Sequence, residues 1–124
     1  MKQIISLSFS IILLIVFLQS VIYGQDVAKV GPKIYKQLLD NEKIRVMEIT
    51  FAPGDSIGVH SHPDHFIYIL SDGTLRVNVA GGETQIADVK KGNYLWGKAE
   101  SHSAKNIGNT ELKAIIVEIK DKLK

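Results

Sequence analysis

Gly54-Asp55-Ser56-Ile57-Gly58-Val59-His60-Ser61-His62-Pro63-Asp64-His65-Phe66-Ile67-Tyr68-Ile69-Leu70 holds three of the four histidines in a chain of 124 residues. Residues two apart in a strand point to the same side, so His60 and His62 share a face. Pro63 lacks the backbone N–H needed to continue a ladder, so the chain turns and His65 re-enters from the next strand. Two imidazoles on one face and a third beyond a turn aim three nitrogen donors at one point. A lone histidine is more often an ordinary core or surface residue; three within six residues point to a metal.

Outward from this stretch the chain reads as strands. Upstream, Arg45, Met47, Ile49 and Phe51 alternate with Ile44, Val46, Glu48 and Thr50 until Pro53-Gly54-Asp55 breaks the pattern. Downstream, Phe66–Leu70 ends at Ser71-Asp72-Gly73, and Thr74–Val79 alternates cleanly with Leu75, Val77 and Val79 on one face. Gly81-Gly82 predicts a tight two-glycine hairpin into Thr84–Val89. Asn93–Trp96, Ser101–Asn106 and Leu112–Ile119 complete the set, with Ala114–Ile119 apolar enough for a central strand. No helix is required after the leader. Val27–Lys36 carries no clear signal, and residues 25–40 read as an N-terminal arm that packs late or pairs with a second subunit. Short, closely spaced strands with glycine-rich turns predict an all-β jelly-roll sandwich or barrel over residues 41–119.

Hydrophobic residues make up 45% and charged residues 23%, an ordinary globular balance that excludes disorder and collagen-like repeats. A net charge of +2 gives no footprint of a nucleic-acid binder. Lys120, Lys122 and Lys124 read as a charged, solvated tail over 120–124. The chain has no cysteine, which excludes a disulfide framework, thiolate ligation and a cysteine nucleophile. Lys2, the uncharged stretch Gln3–Gln25, the apolar run Ile11–Leu18 and a small residue at Gly24 have the anatomy of a secretory signal peptide cleaved before Gln25. That reading makes the mature protein secreted or periplasmic. The competing reading is an uncleaved membrane anchor, with Ser6, Ser8, Ser10, Gln19 and Ser20 shortening its apolar core. A thin core without disulfides predicts a homodimer.

The sequence resembles the cupin superfamily of small metal-binding jelly-roll proteins. The first cupin motif runs Gly, five residues, His-x-His, three or four residues, Glu, six residues, Gly. Gly54, Asp55–Val59 and His60-Ser61-His62 match it; His65 stands at the place of Glu, and Gly73 at that of the closing glycine. The second motif runs Gly, five residues, Pro-x-Gly, two residues, His, three residues, Asn. Gly92, His102 and Asn106 match, although the Gly-to-His interval is one residue short and the proline is missing, with Gly97 nearby. The likeness spans nearly all of Ile34–Ile119. It is similar also to a group of small cupins that carry His-x-His-Pro-Asp-His.

The resemblance implies a single cupin-type β-barrel (a double-stranded β-helix) with His60, His62 and His102 as metal ligands. His65 is the fourth candidate and Asp64 its competitor; the alternative role of Asp64 is a turn residue after Pro63. Asn106 is expected to bond backbone or to hold His102. Tyr94 and Trp96 share one face of their strand, as pocket lining or as plain core. All-nitrogen ligation suits zinc, copper, nickel or iron, and manganese less well. Neutral ligands leave the full metal charge to attract an anionic or oxygenated small molecule. Two functions follow: a metal-dependent enzyme on a small oxygenated substrate, or an exported module that binds a metal or small ligand without turnover.

Overall fold

The structure, a computed structural model, describes residues 25–120. The leader, 1–24, and residues 121–124 of the tail lie outside the described residues. Among the described residues no helix is long and apolar enough to cross a membrane.

A short helix, α1 (Val27–Val30), precedes nine strands: β1 (Tyr35–Asp40), β2 (Ile44–Phe51), β3 (Ser56–His62), β4 (His65–Ile69), β5 (Gly73–Val79), β6 (Thr84–Val89), β7 (Tyr94–Gly97), β8 (Glu100–Asn106) and β9 (Leu112–Ile119). They form two antiparallel sheets, β1-β2-β9-β4-β7 and β3-β8-β5-β6. The fold is thus the expected all-β jelly roll, with one correction. It is two facing sheets and not a closed barrel, because no ladder among the described strands joins one sheet to the other. The chain crosses between sheets at Pro63-Asp64, where a residue without an N–H ends β3's ladder.

The core follows from alternation. On β2 the buried residues are Met47, Ile49 and Phe51; on β9 they are Leu112, Ala114, Ile116 and Glu118. Register places Phe51 opposite Leu112, Ile49 opposite Ala114, Met47 opposite Ile116 and Arg45 opposite Glu118. The inward row is therefore apolar until its last pair, which is charged. Burying each large side chain of this row contributes about 1.5–3 kcal/mol. The turn before β3 uses Gly54 at φ +83°, a conformation that side chains resist. Asn106 fastens this turn to β8: its backbone accepts from Gly54 N–H and donates to Asp55 C=O.

The stretch 25–40, expected as an arm that packs late or pairs with a second subunit, packs here on its own chain: β1 pairs with β2, and Val27, Ile34 and Tyr35 are buried. Two other expectations are corrected. A helix does form after the leader, since Asp26 caps α1 by accepting from Ala28 N–H at 3.0 Å. Four residues are too few to show a helical period. The β5–β6 connection is a four-residue loop, Ala80–Glu83, rather than a two-residue turn; Gly81, at φ +70°, supplies its bend.

Candidate metal centre

Two strands of one sheet present three of the histidines. His60 on β3 lies directly across from His102 on β8, and His62, two residues on, projects to the same side. One ring nitrogen from each of these three lies within 4.8 Å of the other two. His65 enters from β4 of the opposite sheet; its ring centroid is 5.1 Å from that of His62, as near as that of His102 at 5.2 Å, although its nitrogens do not join the group of three.

A bulge in β3 sets the first ring. Between Ile57 and His60 the strand carries one residue more than β8 opposite, which re-aims the side chain that follows. The Gly58 carbonyl exposed there accepts a hydrogen bond from His60 Nδ1–H at 2.8 Å. Each other histidine has its own oxygen acceptor at 2.7 Å: Glu118 Oε1 for His62, the Pro63 carbonyl for His65 and Glu100 Oε1 for His102. Carbonyl and carboxylate oxygens only accept, so each ring carries a proton on Nδ1, and the lone pair of the neutral tautomer this selects lies on Nε2. His60 Nε2 is the clearest case, fully buried with no hydrogen-bond partner. Such an orphan costs stability unless something coordinates it. A metal-free imidazole this buried resists protonation. Burial, with the neighbouring His62 and His102, pushes His60 down to about 4. Burial also lowers His102, against the pull of Glu100. His60, His62 and His102 thus form a group that could hold a metal ion.

Glu118 is the residue that sequence reasoning missed. It is 2% exposed, receives His62 Nδ1–H on one oxygen and pairs with Arg45 at 2.8 Å on the other. Burial pushes its carboxyl up, but the bond from His62 and the Arg45 charge outweigh it and hold the group below the usual carboxylate range. Arg45 reaches on to Asp26 at 2.9 Å, tying the cap of α1 to the site through two carboxylates. The available signal was a carboxylate on the buried face of an apolar strand, in phase with Ala114 and Ile116. Gly97 was noted only as a motif remnant. It pairs with His65, and a Cβ there would overlap His65 Nε2 and Cε1, so glycine makes room for this ring.

The other candidates take plainer places. Asp64 is a turn residue: its carboxylate accepts from Ala99 N–H and its carbonyl from Ile119 N–H, both at 2.8 Å. Asn106, fully buried, donates to the Phe51 and Thr110 carbonyls and accepts from Gly108 N–H. Tyr94 and Trp96 neither line the pocket nor fill the core: they are 73% and 57% exposed on the outer face of β7, where Phe66 stacks on Tyr94. The His65–Gly97 pairing fixes that phase and turns Leu95 and Gly97 inward instead. A cavity of about 200 Å³ runs from His62, His65 and His102 between the sheets, walled largely by apolar side chains such as Ile67, Ile69, Leu75 and Val77.

Comparison with known proteins agrees with this architecture. The chain is 28% identical over 97 residues to an oxalate-binding protein of Thermotoga maritima, covering 76% of this chain and 77% of that one. A cupin domain from Bordetella pertussis superposes with a TM-score of 0.65 at 27% identity, over 71% of this chain and 93% of that one. An RmlC-like cupin from Methanocaldococcus jannaschii, with a double-stranded β-helix fold, superposes at 0.57 and 17% identity, over 69% and 78%, and so speaks to fold alone. The family model for the cupin domain matches residues 47–118, from the middle of β2 to Glu118 near the end of β9. With that match across most of both sheets, the chain belongs to the cupin domain family.

Proposed function

We propose that the protein uses His60, His62 and His102, with His65 as a fourth donor, to hold a divalent transition metal at the head of the cavity, and that it binds a small oxygenated or anionic molecule there. The observation that carries this reading is the shared orientation of the imidazoles: every Nδ1 is bonded to oxygen, leaving Nε2 free, and His60 Nε2 is buried without a partner. A bound transition metal supplies Lewis acidity toward an oxygen ligand. The chain's own groups do the rest. Glu118 and Glu100 hold the rings of His62 and His102, and the apolar walls keep water from the ligand body. Glu118 has both oxygens engaged, by His62 and Arg45, so it is not free to shuttle a proton. The likeness to a protein named for oxalate binding favours the binding module over the enzyme.

In the same reading the leader directs export, and the mature chain begins at or near Gln25. Intact mass of exported protein checks this; membrane-bound material retaining residues 1–24 would show an anchor instead. The metal assignment is tested by equilibrium dialysis of chelator-stripped protein against zinc, followed by elemental analysis. One zinc per chain in the wild type and at least a tenfold weaker affinity in His60→Ala is expected. Failure of the wild type to take up zinc would end the reading.

A further inference from the structure

We propose that the cavity takes a small molecule with one anionic oxygen head and an apolar body of about the size of a benzene ring, rather than a dicarboxylate. This rests on the metal-binding reading above, because the metal receives the head.

The cavity carries its metal donors at one end; lower down, level with Val77 and Ala104, the polar liner is the neutral amide of Gln85. His62, His65 and His102 stand at its head, and no lysine or arginine lines it anywhere. Arg45, which reaches the site through Glu118, is bonded to Glu118 and Asp26 and is not part of the lining. The remaining polar liners are Tyr35, Gln85 and Glu100. Glu100 is acidic and bonded to His102 at the head, so it offers no counter-charge to a second carboxylate. An oxalate held at the head would turn its outer oxygens toward largely aliphatic walls with the neutral Gln85 and no cation among them, and an ionised oxygen buried without a charge partner is strongly disfavoured. A ligand whose body is hydrocarbon gains from the same walls.

Size and entry agree. An engineered apolar cavity of roughly 150 Å³ accepts benzene; this one is about 200 Å³, which leaves space for a ring and one head group. Gln85, Leu95 and Glu100 are the exposed liners, so the cavity opens beside β6 and β7. Those strands are unpaired edges of their respective sheets, and a ligand can pass between them without breaking a ladder.

The ladders also choose the variants. Val79 pairs with His102, Val77 with Ala104, and Leu75 with Ala87 across from it on β6. Ala104 is therefore two residues below the level of His102, about 7 Å at strand rise, where a ring attached to the head would lie. Ala104→Leu fills that space, and Ala87→Phe fills the lower cavity from the more exposed strand.

The experiment is calorimetric titration of the zinc-loaded protein with benzoate, oxalate and acetate, with zinc content measured in each sample. Benzoate is expected to bind at least tenfold more tightly than either oxalate or acetate. Ala104→Leu and Ala87→Phe should each weaken benzoate at least tenfold with zinc content retained; if one variant fails to fold, the other decides. Zinc uptake with oxalate preferred, or with no benzoate binding, overturns the inference and leaves the metal reading standing. Benzoate affinity unchanged in a folded variant places benzoate elsewhere and also overturns it. Absence of zinc uptake overturns the metal reading and this inference with it.

Discussion

An imidazole bonded through Nδ1 to an oxygen can offer a metal only Nε2, and the acceptor fixes how the ring is turned. At His62 that acceptor is Glu118, buried with Arg45 on its other oxygen. Glu118→Gln keeps an oxygen for His62 but removes the charge facing Arg45. Zinc affinity should fall about 10- to 100-fold, as for other groups that orient a metal ligand. Thermal unfolding should shift downward as well, because Arg45 keeps only Asp26 as a partner. Unchanged zinc affinity in a folded variant would show that Glu118 does not set the ring. The fourth histidine is tested through its chemistry. His65→Glu should retain metal and move preference from zinc or copper toward manganese, read by competition between equal supplies of both metals. Unchanged selectivity, with unchanged affinity in His65→Ala, would remove His65 from the ligand set. His60, His62 and His65 were legible because strand alternation and Pro63 act over six residues, and His102 through its match to the second cupin motif. The acceptor of His62 was not: Glu118 lies 56 residues away, on a strand of the opposite sheet, and only the packing of the two sheets brings them together.

At the scale of elements, β3 and β7 shape the site by what they leave out of regular strand geometry. The β3 bulge exposes the Gly58 carbonyl to His60, and β7 places a glycine under His65. Gly97→Ala should push the His65 ring out of place, since its Cβ would overlap two ring atoms. We expect Tm to fall by several degrees and the His65 Nδ1–H resonance to move by NMR, while zinc remains on the other three histidines. A crystal structure of Gly97→Ala with His65 undisplaced would contradict this. Most strands could be read from alternation, including the inward row of β2. What escaped has a common cause. The length of the β5–β6 loop, the bulge and the outward phase of Tyr94 and Trp96 all depend on which residue pairs with which, and pairing is long-range. Short α1 escaped because its stability comes from Asp26 and burial of Val27, not from a periodic pattern.

For the whole molecule, the site sets a pH dependence of the metal-free protein. His60 falls from 6.5 to about 4 on folding, so the unfolded chain binds more protons than the folded one between those values. Stability therefore drops as pH falls from 6.5 toward 4, by about 3 kcal/mol from this residue once the window is crossed. His102, also lowered, acts in the same direction. Glu118 is held below its ordinary 4.5, so its contribution is present above that pH and is lost as pH falls further. Denaturant unfolding of the metal-free protein at pH 7 and pH 4.5 measures this, and His60→Phe should flatten the slope. Equal stability at the two pH values would refute the assignment. Most directly, the central claim is tested by X-ray absorption on zinc-loaded wild-type protein. The account predicts at least three imidazole nitrogens at about 2.0–2.1 Å, with the imidazole count lowered in His60→Ala. A first shell of oxygen alone, or the same imidazole count in His60→Ala as in wild type, would contradict it.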